Sequence, residues 1–182
     1  MYSLFIDTTQ KYCYLAVLKD KKIISKISIL THNNLTDLVV EHINQILKKT
    51  KVNKELIKNI YIAIGPGSFT GVRVSTTITK TWNLINNCSV YTISSLLLQL
   101  PVPNGTSLLD ARGNKYFCGI YKNNKLVSKL KIINLRKVKS CKNIYKNYEN
   151  IDIFNNLIYH MKDFRKVKDI NNLSPLYIKQ PV

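Results

Sequence analysis

Acidic side chains are the first scarcity in this sequence. Ten Asp and Glu face 28 Lys and Arg in 182 residues, leaving a formal net charge of +18. Such a balance points towards polyanions, but the cations are mostly scattered lysines. Asn and Ile are also abundant, a mixture that an AT-rich genome produces unaided. The densest basic stretch, 122–146, interleaves lysines with Tyr121 and Tyr145, residues able to stack on bases. Long apolar runs are missing as well, and nothing approaches the ~20 residues of a membrane span. The start Met1-Tyr2-Ser3-Leu4 has neither the basic opening nor the apolar core of a secretory signal, so a cytoplasmic protein is expected. The cysteines Cys13, Cys88, Cys118 and Cys141 form no Cys-x-x-Cys pair, which argues against a zinc site and for buried reduced thiols. His32 and His42 stand ten residues apart, about 15 Å along a helix, too far to share one ion. His160 reads as an isolated polar residue.

What remains is a globular composition, 45% hydrophobic and 21% charged. Residues 2–7, 12–19 and 22–30 are rich in Ile, Leu, Tyr and Val and read as a strand meander, with Asp20-Lys21 as a two-residue turn. From 35 the period changes. Leu35, Leu38, Val39, Ile43, Ile46 and Leu47 recur at helical spacing, with Asn33 or Asn34 as cap. A strand at 60–64, a helix at 72–85, a strand at 89–93 and a short helix capped by Ser94 follow. Pro101-Val102-Pro103-Asn104-Gly105 marks a boundary. Beyond it, 106–111, 115–122 and 125–133 read as a second meander, with turns at Gly113-Asn114 and Asn123-Asn124. Residues 135–150 show little periodicity and are expected to be irregular or disordered, whereas 151–164 regains helical spacing.

Half of the six glycines fall in one place, Gly65-Pro66-Gly67-Ser68-Phe69-Thr70-Gly71-Val72-Arg73. The segment joins a strand to a helix, and its glycines allow a sharp turn, positive φ or close backbone approach. Ser68 or Thr70 can cap the helix. Corners of this kind often hold phosphate, but this one lacks the Gly-Lys-Ser/Thr of a Walker loop and the Gly-x-Gly-x-x-Gly of a dinucleotide site. A tight corner without a ligand is the competing reading.

The nine residues 65–73 resemble the signature of the TsaB (YeaZ) family. Phe5-Ile6-Asp7-Thr8-Thr9, Leu109-Asp110-Ala111-Arg112 and Pro175-Leu176-Tyr177-Ile178-Lys179 are similar to that family at the corresponding places. The resemblance implies an α/β fold built of ribonuclease H-like halves of the actin/Hsp70/sugar-kinase superfamily, with the second half shortened. It implies a ribonuclease H-like domain over 1–100, a small truncated domain over 101–150, a late helix at 151–164 returning to the first domain, and a tail at 165–182. It also implies a non-catalytic subunit in the threonylcarbamoylation of adenosine 37 in tRNA. The implied partners are a TsaD-like catalytic subunit, a TsaE-like ATPase in the assembled complex and tRNA indirectly, with a homodimer also allowed and no membrane. No cofactor is expected on this chain, ATP or Mg²⁺ belonging to the assembled complex.

The family's first two helices meet the partner, which here means 35–47 and 72–85. The candidate partner-binding residues are Val40, Val72, Arg73, Trp82 and Leu84, and 65–71 are a structural loop. Trp82 is the candidate anchor, since buried aromatics dominate interfaces, and a core position is its alternative. The functional alternatives are an ATP-dependent phosphotransferase, with Asp7 and Asp110 at the places where acids would hold Mg²⁺, and a stand-alone basic RNA-binding protein. Asp7-Thr8-Thr9 has no glycine for close phosphate approach and Asp110-Ala111-Arg112 places a bulky side chain in the turn, so Asp7 reads as a turn residue accepting backbone N–H groups.

Overall fold

The computed structural model describes residues 1–31, 35–134, 136 and 143–178. The proposed caps Asn33 and Asn34, together with His32, Cys141 and Lys179, lie outside them. The chain begins with three antiparallel strands, β1 (Tyr2–Asp7), β2 (Tyr12–Lys19) and β3 (Lys22–Leu30). Asp20 and Lys21 both take positive φ, the conformation that a two-residue hairpin turn demands. Helix α1 (Leu35–Thr50) then crosses over to β4 (Ile57–Ala63), which pairs parallel with β1. Helix α2 (Phe69–Asn86) returns to β5 (Ser89–Ile93), parallel to β4. With a late strand, β11 (Arg165–Lys166), the sheet order is β11-β5-β4-β1-β2-β3.

The burial patterns follow from this order. Strands β1 and β4 are buried almost throughout because both of their faces are covered. Strand β3, at the edge, alternates exposed with half-buried residues. On one face α1 and α2 cover Leu4, Ile6, Leu15, Ile60 and Ile62. On the other, Phe5, Ala16 and Leu18 join helix α3 (Ser95–Leu98), helix α4 (Ile153–Tyr159) and a second sheet.

The second sheet repeats the first on a smaller scale. Strand β6 (Gly105–Asp110) pairs antiparallel with β7 (Lys115–Lys122), as β1 does with β2. Strand β10 (Ile144–Lys146) runs parallel to β6, as β4 does to β1. Residues 125–133, read as one strand, split into β8 (Lys125–Leu126) and β9 (Lys131–Asn134), both on β7. Ser128 causes part of the break, its hydroxyl taking the Ile120 N–H at 3.0 Å. The architecture is α/β, a ribonuclease H-like half followed by a shortened second half.

The expectation of irregular or disordered chain over 135–150 is corrected for 143–150. There β10 forms, and Tyr148 sinks into the core at positive φ. The surrounding lysines and asparagines hid the strand, in which Tyr145 alone packs on the core cluster. Residues 137–142 lie outside the described ones. The 151–164 helix is likewise shorter than its spacing implied, ending at Tyr159.

Candidate functional site

Glycines hold the corner at 65–71 tight, for two different reasons. Gly65 has φ +98°, and the Gly65–Pro66 peptide is cis. Gly67 and Gly71 are not in the positive-φ region, and close approach is what requires them. A Cβ would stand 2.1 Å from the Thr9 carbonyl oxygen at Gly67 and 1.9 Å from that of Thr8 at Gly71. Ser68 donates its N–H to the Thr9 carbonyl at 2.8 Å, and Thr8 Oγ1 donates to the Gly71 carbonyl at 2.6 Å. Ser68 is the helix cap, accepting the Gly71 N–H at 3.2 Å. Thr70 lies exposed in the first turn.

This geometry answers the phosphate reading. The room that the glycines leave is filled by carbonyl oxygens of β1 and its following turn, which repel an anion. The phosphotransferase alternative needs Mg²⁺ and a nucleotide, and the residues at this corner do not fit them.

Asp7 gives the same answer. It is fully buried, and three donors occupy its carboxylate: Thr9 N at 2.9 Å, Thr9 Oγ1 at 2.7 Å and the Tyr148 hydroxyl at 2.8 Å. Ser95 Oγ reaches Thr9 Oγ1 at 2.9 Å and extends the network into α3. Burial raises the Asp7 pKa, and the bonds from Thr9 and Tyr148 oppose that rise. Burial, with the Asp7 charge as a smaller cause, pushes Cys13 and Tyr14 up to about 12. Asp110, the corresponding residue of the second sheet, is exposed and accepts the Arg112 N–H at 2.7 Å. The turn role read for Asp7 holds, and Asp110 caps the backbone two residues ahead in the same way. The burial of Asp7 and its bond to Tyr148 carry no signal in the sequence.

Between the two sheets lies a cleft of about 970 Å³, lined by Tyr12, Tyr14, Ser68, Arg112, Tyr148 and Tyr177 among others. The segment around Leu176 borders it. Leu176 N donates to the Ile64 carbonyl at 2.7 Å, and Arg73 lies 3.7 Å from the Phe69 ring centroid and 3.2 Å from the Tyr177 hydroxyl.

The partner-binding candidates separate on α1 and α2. Val40 is 47% exposed and Leu84 79% exposed, and Ile85, at helical spacing with Val74, Ile78 and Trp82, is 69% exposed. Val72 is 2% exposed and packs towards Gly65, so its side chain presents no surface to a partner. Its burial follows from its place in the first turn of α2, directly over the corner. Arg73 is exposed, and Trp82 is half-buried against the core beneath α2, with its Nε1 buried and unpaired. The inner side of α2 is partly polar. Ser75 and Thr76 bond their hydroxyls back to Val72 O at 3.3 and 2.6 Å. Hydrophobic spacing could not reveal those residues.

His160 is not the surface residue its lysine-rich setting implied. It is fully buried, with Nδ1 2.8 Å from Asp163 Oδ2 and Nε2 2.7 Å from the Leu100 carbonyl. Cys13, Cys88 and Cys118 are buried. Among the described residues no cluster of His, Cys, Asp or Glu could hold a metal, and no helix is long and apolar enough to cross a membrane.

Residues 29–131 match the family model of TsaD, tRNA N6-adenosine threonylcarbamoyltransferase, which is more than half of the chain. The solved YeaZ of Pseudomonas aeruginosa superposes with a TM-score of 0.76 at 14% identity, covering 97% of this chain and 99% of that one. Bacillus subtilis TsaB is 27% identical over 127 residues, 65% of this chain and 54% of that protein. The chain belongs to the TsaB (YeaZ) family. Within reach of it lies an uncharacterized Mycoplasma genitalium protein, MG208, 35% identical across the whole chain and 96% of its own length. The TsaB signature residues 65–71 thus have a local purpose in this member, which is to seat α2 on the end of β1.

Proposed function

We propose that this TsaB-family chain is a non-catalytic subunit in the N6-threonylcarbamoylation of adenosine 37 in tRNA, acting by docking to a TsaD-like transferase. The observation that carries the reading is the state of Asp7. Its oxygens are taken by Thr9 and Tyr148, and the adjoining glycines are filled by carbonyls. A fold that keeps the frame of a phosphotransferase while closing its acid and its loop is suited to binding. Family membership supplies the process.

The docking face in this reading is the outer side of α1 and α2. Val40, Leu84, Ile85 and Phe69 stand exposed there, with Arg73 able to pair with an acid and Trp82 at the edge of the core. We take 1–100 with 151–164 as the docking unit, 101–150 as a small second domain and 165–182 as a tail. ATP turnover, with its Mg²⁺, falls to other subunits, a TsaE-like ATPase among them. The test is co-expression with the host's TsaD, capture through a tag on TsaD, and assay of the modified nucleoside in cells depleted of this chain. Capture together with loss of the modification on depletion is expected. An undiminished modification sinks the proposal, and size-exclusion chromatography of the chain alone distinguishes a homodimer.

A further inference from the structure

The end of the first sheet opposite the glycine corner gathers lysines from segments far apart in sequence. Strands β1 and β4 start there, β2 ends there, β3 starts there, and α1 runs down to the same level. The register makes this explicit, with Tyr2 opposite both Ile57 and Lys19, and Lys19 opposite Lys22. The hairpin contributes Lys19, Lys21 and Lys22, all exposed. The last turn of α1 adds Lys48 and Lys49, with Lys51 just beyond. Exposed Lys54 and Lys58 lie on the way into β4. On these same segments the carboxylates are Glu55 and Asp20, and Asp20 is taken up by the Met1 ammonium. The dipole of α1 accounts for Lys48 and Lys49 at its C-terminal end, but for none of the others.

We infer that this lysine end is a docking surface for the phosphate backbone of a folded RNA. Three strand spacings of about 4.8 Å set Lys58 and Lys22 roughly 14 Å apart across the sheet edge, and α1 adds a second layer about 10 Å away. A field of that size meets several phosphates at once. Exposed apolar side chains here, Met1 and Leu56, stand singly, whereas a membrane-seated face needs a continuous apolar side. The cations are lysines, point charges suited to positioning on phosphate rather than to reading bases. The surface adjoins the α1–α2 face, with Leu84 in the last turn of α2 at the same end of the sheet and Val40 further up α1. The choice of RNA as the polyanion rests on the proposed function, and the location rests on the fold.

The experiment compares two variants of equal charge. One carries Lys19→Gln, Lys22→Gln, Lys51→Gln and Lys58→Gln. The other carries Lys115→Gln, Lys122→Gln, Lys125→Gln and Lys131→Gln on the second sheet. Binding of the isolated chain to an unmodified tRNA transcript, and to an unrelated structured RNA of equal length, is read by anisotropy across about 50 to 200 mM salt. The first variant is expected to lose about tenfold or more in affinity and about three units of slope of log K against log salt, equally for both RNAs. The second is expected to stay within about twofold of the parent. Equal losses in both variants, or none in the first, overturn the inference. So does loss of binding to phosphatidylserine vesicles with RNA binding unchanged, which assigns the lysines to a membrane. Capture by TsaD is measured in parallel. A parent that binds RNA through these lysines but captures no TsaD refutes the proposed function and leaves this surface standing.

Discussion

At the scale of single residues, Gly71, Asp7 and Tyr148 decide how this corner works. A side chain at Gly71 would drive a Cβ to 1.9 Å from the Thr8 carbonyl, so Gly71→Ala is expected to cost about 2–4 kcal/mol. Denaturant titration checks this, and a midpoint equal to the parent's contradicts the tight corner. Tyr148→Phe deletes the donor to Asp7 Oδ2 and leaves a buried acceptor short of a partner, at about 1–3 kcal/mol. Asp7 also sets a pH dependence. Its folded pKa is raised, so the folded state holds its proton to higher pH than the unfolded chain does. The stability this contributes is fully present below the ordinary aspartate range and is lost as pH rises through the folded pKa. Asp7→Asn removes the term. Melting of parent and variant across this range should show the variant gaining on the parent as pH rises, and parallel curves would contradict the raised pKa. The sequence announced the acid and its turn role. It gave no hint of Tyr148, which comes from more than a hundred residues away on a segment that composition marks as irregular.

Elements divide into those that hydrophobic spacing reveals and those held by other forces. The strands at 2–7, 12–19, 22–30, 89–93 and 115–122 were legible to the residue, because alternation and turn residues agree at their ends. Helix α1 was legible too, burying Leu35, Val39, Ile43, Ile46 and Leu47. Helix α2 was legible in existence but not in orientation. Its inner side mixes Val72, Val74, Ile78 and Trp82 with Gly71, Ser75, Thr76 and Thr79, small residues that let it lie close to the sheet but add little to an apolar stripe. That is why Val72, off the apolar stripe and a candidate for partner binding, is buried, while Ile85, at stripe spacing, is exposed. Strand β10 is the opposite case, a strand of mixed side chains held by backbone pairing to β6. The docking proposal belongs to this scale. Val40→Asp and Leu84→Asp change exposed side chains, so both variants are expected to melt within about 0.5 kcal/mol of the parent while capture by TsaD falls at least tenfold. Undiminished capture would move the interface elsewhere. Trp82→Ala is expected to lower the melting temperature, because its ring packs on the core beneath α2.

The whole molecule is a repeat with unequal halves, and the inequality was only partly legible. The second meander and its turns could be read. The packing that joins the halves could not, because it is long-range: Phe5, Ala16 and Leu18 meet Leu109 and Phe117 in one apolar cluster, and polar bonds run beside it. Gln99 donates to the Leu108 carbonyl at 3.1 Å and to Ser107 Oγ, and it accepts the Tyr148 N–H at 3.2 Å. Asn156 reaches the Leu98 carbonyl at 2.9 Å, and His160 reaches that of Leu100. The two sheets should therefore unfold in one transition. Amides of Leu108 and Leu109 are expected to exchange as slowly as those of Leu4 and Phe5, and distinctly faster exchange in the second sheet would refute a shared core. One consequence reaches past stability. A swing of the two sheets about a hinge needs an unbridged gap between them. Here the Tyr148 phenol, carried by the second half, is bonded to the buried carboxyl of Asp7 in the first, so any such swing has to break a buried bond.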